Sequence, residues 1–166
     1  MRIEISNRQS LLEIDSSLIS AAVTTVLNGE SIDAAEIGIA IVGNAQIHET
    51  NRRFLNHDYA TDVITFVMTD ETDGFGFPDE SSGNVLHGDI MVSAEYAIES
   101  AENYDWSPED ELLLYIVHGA LHLSGYDDST ENERQEMREK ESHYLSLLGK
   151  NVPAGHARVS DNGGTS

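Results

Sequence analysis

"SPEDELLLYIVHGALHLSGYDD", residues 107–128, is the stretch on which the reading of this 166-residue chain turns. It opens as a helix should, with Ser107 as N-cap, Pro108 at the first helical position and acids in the first turn. An apolar run occupies residues 112–116 and 121–123, and Gly125 stops the helix. His118 and His122 stand four apart within it. Those positions share one face of an α-helix, so both rings can point at a single ion. Past Gly125 the chain turns, and Asp127 or Asp128 could swing a carboxylate back to the same ion. Three protein ligands plus a water form the pattern of a catalytic zinc site, and imidazole with carboxylate also suits Ni, Co or Mn. A core helix with two incidental histidines is the plainer alternative. The paired spacing, the glycine turn and the acids that follow favour the metal. The zinc-protease helix H-E-x-x-H carries its general base directly after the first histidine, and here that residue is Gly119, which sets the protease reading aside.

The length suits one domain with a proper core. Hydrophobic residues make up 39% and charged residues 23%, as in ordinary soluble proteins, but nine Lys and Arg face thirty Asp and Glu, a formal charge of -21. Such a field repels nucleic acid and anionic membranes unless basic groups are gathered locally. The absence of cysteine excludes disulfides and thiolate metal sites. No signal-like or membrane-spanning apolar run is present, so a cytoplasmic protein without a membrane partner is expected.

A short strand is expected at residues 3–5, then a helix over "SSLISAAVTTVLNG" with Ser16 or Ser17 as N-cap and Gly29 just past its end. Residues 36–42 and "TDVITFVM" (61–68) read as strands, with a helix over "NAQIHETNRRFLN" between them. Residues 69–87, acidic and rich in Gly, Ser and Pro, read as a long loop. Strand "GDIMVS", helix "AEYAIESAENY", the helix ending at Gly125 and a last amphipathic helix ending at Gly149 complete the pattern. The expectation is an α/β mixed fold in a single domain over residues 1–150. It has an about four-stranded mixed sheet covered by four to five helices, and residues 151–166 follow as a flexible tail.

"HGALHLSGYDD" resembles the H-G-x-L-H-L-x-G-Y-D-H signature of the YbeY family, metal-dependent endoribonucleases of ribosomal RNA maturation. "TDVITF" is similar to that family's T-D-V-L-S-F segment and "GDIMVSAEYA" to its G-D-I-x-I-S-x-E-x-A segment, in the same order and spacing. By position the resemblance implies His118, His122 and Asp128 as metal ligands, Asp128 standing where the family has its third histidine. A carboxylate donor should leave the ion's water less acidic and shift preference toward harder metals. Leu55 stands where the family has an arginine in the pattern N-x-x-[YF]-R. Arg52 and Arg53, one turn back, could grip a phosphate instead or belong to a solvated helix face; no other Arg or Lys lies between Arg8 and Arg134.

Among the remaining polar residues of these blocks, Asp62 reads as a turn or cap residue. Asp89 could orient a ligand histidine or pair with a backbone amide, and Tyr126 could pack the turn. His57, His87, His143 and His156 carry no role. No protein group is assigned as general base; water on the ion is the candidate for activating attack. The resemblance implies one divalent ion, Zn²⁺ first, in a single-strand-specific endoribonuclease. Its expected work is maturation of the small-subunit rRNA 3′ end and ribosome quality control, with RNA and ribosome-associated proteins as partners and no DNA. A metal-dependent hydrolase of a non-nucleic substrate and a non-catalytic ribosome assembly factor are the alternatives.

Overall fold

Four strands form one mixed sheet in the computed structural model, which describes residues 1–55, 61–68, 85–153 and 156. The strands are β1 (Arg2–Asn7), β2 (Ala35–Val42), β3 (Val63–Met68) and β4 (Leu86–Ser93), in the order β1-β2-β4-β3. β1 runs parallel to β2 and β2 parallel to β4, whereas β3 pairs antiparallel with β4 at the edge. The expected single mixed sheet under helices is therefore the architecture found.

The helices are α1 (Ser16–Gly29), α2 (Asn44–Leu55), α3 (Ala94–Ala101), α4 (Pro108–Leu123) and α5 (Glu131–Leu147). Strand alternation sends Ile37, Ile39, Ile41, Ile90 and Val92 into the main core with α1, α3, α4 and α5. The opposite sheet face carries a smaller cluster in which Ile47 of α2 packs with Val42 and Ile64. α4 is buried on nearly all sides, from Glu111 through Leu121 and again at Leu123. Its lack of a polar face is what a helix needs when other helices and a sheet enclose it. Gly119 lies where an added Cβ would come within 2.9 Å of Ile90 Cγ2 and 3.3 Å of Thr65 Cγ2, so its missing side chain lets α4 settle against β3 and β4.

Several boundaries differ from expectation. The N-cap of α1 is Asp15, whose carboxylate accepts from Leu18 N–H; Ser16 and Gly29 are its first and last helical residues. α3 ends at Ala101 because the Asn103 and Tyr104 amides bond three residues back, to Ser100 and Ala101, in tight turns. β4 begins at Leu86, so His87 is a strand residue paired with Glu36 at 3.2 Å and not part of a loop. Residues 69–84 of the expected loop, and His57, lie outside the described residues. Within the expected tail, His156 is buried against the start of α4. It bonds to Glu111 Oε1 at 2.8 Å and stacks on Tyr104 at 3.8 Å between ring centroids.

Candidate metal centre

The C-terminus of α4 decides the geometry. Gly125, at φ +109°, donates its N–H to His122 O, and the Tyr126 N–H reaches back to Leu121 O, both at 3.0 Å. These two bonds make a Schellman turn, which a left-handed glycine closes without strain. The turn reverses the chain toward the histidine face. Asp127, exposed, accepts at Oδ1 from the Asp128 N–H at 2.8 Å and so shapes the corner. Asp128 is the residue that points inward.

Its Oδ2 lies 3.6 Å from His118 Nε2 and 3.6 Å from His122 Nε2, and the two nitrogens are 3.0 Å apart. Four ligands around zinc at roughly 2.0–2.2 Å would be separated by about 3.3–3.6 Å along the edges of the tetrahedron. The three donors therefore stand near three corners of such a figure, and an ion held there would keep its fourth position for water or substrate. Chemically and geometrically the group could hold a metal ion, and among the described residues it forms a compact triad of donors. His118 is 1% exposed, His122 11% and Asp128 10%, so the donors are screened from bulk water without being sealed from it.

His118 is oriented from behind. With Glu141 ionised, the His118 Nδ1–H donates to Glu141 Oε2 at 2.5 Å, which makes Nε2 the unprotonated nitrogen on the side of the triad. Sequence reading missed Glu141 and offered Asp89 either as the orienting acceptor or as a partner of a backbone amide. Asp89 projects from the opposite sheet face, where its Oδ1 leans over Gly38 in a groove of about 600 Å³, so β4 itself separates it from α4. A usable signal for Glu141 existed: Met137, Glu141, Tyr144 and Leu145 fall on one buried stripe of α5, and a carboxylate on such a stripe needs a partner.

The other candidates have structural work. Asp62 accepts from the Val63 amide at 2.8 Å at the start of β3, as a turn residue does. Ser93 caps α3 through the Tyr96 N–H and donates to Asn44 Oδ1 at 2.7 Å. Arg52 and Arg53 sit on α2, which packs on the far face of the sheet. Arg52 pairs with Glu49 at 2.6 Å, and Arg53 lies 5.5 Å from the Phe54 ring centroid. Leu55 ends α2, partly exposed. His143, on α5, packs its ring against Tyr144.

A small mixed sheet with a largely buried helix that presents two histidines and a returning acid gives a candidate metallohydrolase centre. Residues 4–149 match the family described as Endoribonuclease YbeY, and the chain belongs to that family. Curated relatives carrying that name include one from Alkaliphilus metalliredigens, 41% identical over 87% of this chain and 94% of its own. Others come from Carboxydothermus hydrogenoformans, 39% identical over 88% and 96%, and Clostridioides difficile, 36% over 89% and 97%. The solution structure of a Thermotoga maritima protein superposes with a TM-score of 0.57 at 26% identity, covering 88% of each chain.

Proposed function

We propose that this chain is a metal-dependent endoribonuclease that cuts single-stranded RNA and matures the 3′ end of small-subunit rRNA in the cytoplasm. Its ion would be Zn²⁺, held by His118, His122 and Asp128. The observation that carries this reading is the mutual spacing of the three donors, 3.0 to 3.6 Å. When bound, a divalent ion supplies polarisation of a phosphoryl oxygen and acidification of water.

The chain's own residues supply the rest. Glu141 fixes the His118 ring and its tautomer; the Schellman turn and Asp127 aim Asp128; Gly119 faces the sheet and so leaves no side chain beside the triad. The zinc-protease alternative thus fails for a second reason, since a glutamate at position 119 would point into Ile90 and not at substrate. Arg52 and Arg53 lie on α2, across the sheet from the triad, so they are candidates for phosphates of RNA flanking the cut and not for the phosphate at the ion. The exposed Arg52–Glu49 pair is weak enough for such a phosphate to displace. With a charge of -21, binding to a basic ribosome-associated protein would offset the repulsion of RNA.

The test is cleavage of a single-stranded RNA by metal-loaded protein beside His118→Ala and His122→Ala. Both substitutions are expected to abolish cleavage, and duplex RNA and DNA are expected to resist it. Undiminished cleavage by His118→Ala would overturn the proposal. Ester or amide turnover that depends on His118 and is indifferent to salt, with no RNA cleavage, would instead establish a non-nucleic hydrolase.

A further inference from the structure

Beside the turn that carries Asp128, a second polar cluster converges on one carboxylate. Glu30 ends α1, and its backbone is fixed there by bonds from its N–H to Val26 O at 3.0 Å and Leu27 O at 3.2 Å. Its side chain, 14% exposed, accepts from Tyr126 Oη at 2.8 Å, from Tyr144 Oη in a very short bond, and from Lys140 Nζ at 3.5 Å. The Lys140 ammonium also lies 5.6 Å from the Tyr126 ring centroid. Burial alone would raise the Glu30 carboxyl, but bonds from Tyr144 and Tyr126 and the charge of Lys140 hold it below the ordinary carboxylate range.

The partners of Glu30 are placed where they matter. Tyr126 closes the Schellman turn of α4 and stands two residues before Asp128. Lys140 is the neighbour of Glu141, and Tyr144 lies one turn beyond it on α5. One side chain therefore fastens both the segment that delivers the third donor and the helix that orients the first. The corner at Asp128 is held further by the Asp127 carboxylate on its amide, and by Arg134 at its carbonyl at 3.5 Å and at Ser129 O at 3.2 Å. Glu133 holds it too, on the Ser129 and Thr130 amides.

We propose that Glu30 is a positioning residue of the metal centre, setting through Tyr126 where Asp128 stands and through α5 where Glu141 meets His118. The inference rests on the metal reading above. A purely structural staple between α1 and α5 would stabilise metal-free and metal-bound protein alike. A positioning residue must also change the affinity for metal, because the ion binds the arranged donors and not the loosened ones.

The test compares the full chain with Glu30→Gln and Tyr126→Phe, using Zn²⁺ in competition with a chelator and thermal unfolding of the metal-free proteins. Both variants are expected to bind Zn²⁺ about tenfold more weakly, the lower end of what lost outer hydrogen bonds cost a metal site. A lowered melting temperature of the metal-free variants with unchanged Zn²⁺ affinity would reduce Glu30 to a staple and overturn the proposal. Amide hydrogen exchange in metal-free protein gives a reading independent of the ion. Residues 125–129 should exchange faster in Glu30→Gln, and unaltered protection there would overturn the proposal whatever the wild type does with Zn²⁺. Failure of the wild type to bind Zn²⁺, with exchange accelerated in the variant, would overturn the metal reading and the role of Glu30 in it, leaving only a held turn.

Discussion

Glu141 takes the proton-bearing side of His118, and that hold determines how well the opposite nitrogen serves as a donor. Glu141→Gln keeps the shape and removes the charge, and Glu141→Ala removes both. Metal affinity is expected to fall on the order of 10- to 100-fold in the alanine variant and less in the glutamine variant, measured by chelator competition. Equal affinity in all three proteins would show that the bond does not tune the donor. Gly119 is constrained from the other side. An alanine there meets Ile90 at 2.9 Å, and overpacking of that kind costs about 1–3 kcal/mol, read from a urea unfolding midpoint. Asp128→His restores the family's third histidine. Trading a carboxylate for a neutral ring should move the rising limb of the cleavage pH profile to lower pH.

α4 carries its boundary instructions locally, which is why its start and stop are legible in the sequence. Ser107 accepts from the Asp110 N–H at 3.1 Å, Pro108 occupies the first turn, and Gly125 closes the far end. Replacing Gly125 by alanine forces a Cβ into φ +109°, at a cost of about 1–3 kcal/mol, and should loosen Asp128 as well as lower stability. A thermal scan with and without Zn²⁺ checks both effects; the stabilisation by Zn²⁺ should shrink. The same locality explains the readable pair of histidines, since a spacing of four residues is a property of the helix alone. The cap of α1 was expected at Ser16 or Ser17 and falls on Asp15, because Asp and Ser cap about equally well and propensity does not choose between adjacent ones. Glu30 gave no such local signal, and Glu141 gave only that of a carboxylate on a buried helix stripe. Each earns its role only when α1 and α5 meet the end of α4, and thirty acids in the chain hide the two that matter. Asp89 looked functional because it sits in a family block, yet strand alternation places it on the wrong face.

The molecule as a whole carries its charge of -21 against itself, so screening should help it fold. Raising ionic strength from roughly 0.01 to 0.15 M at neutral pH is expected to raise the melting temperature, and a flat response would show that the acids are already offset locally. Glu30 and Glu111 work in the opposite sense. Despite burial, which would raise them, hydrogen bonds from Tyr144 and Tyr126 to the first and from His156 and Trp106 to the second hold both carboxyls low. Their folded values lie below the unfolded value of about 4.3, so the stability they contribute is present above that pH and lost as pH falls through the folded values. Burial pushes the phenols of Tyr115, Tyr126 and Tyr144 up, so their contribution is present below the unfolded value of about 10 and lost as pH rises beyond it. Urea midpoints across pH should therefore fall away on both sides, with the maximum on the acid side of neutrality where self-repulsion is relieved.

Metal content tests the central claim most directly. The protein is purified without a histidine tag or added metal, then analysed by mass spectrometry beside Asp128→Ala and Asp127→Ala. The geometry predicts near-stoichiometric metal in the wild type, retained by Asp127→Ala, whose carboxylate only shapes the turn, and lost by Asp128→Ala, whose Oδ2 stands 3.6 Å from both imidazoles. No metal in the wild type even after reconstitution, or metal that survives Asp128→Ala undiminished, would contradict the account.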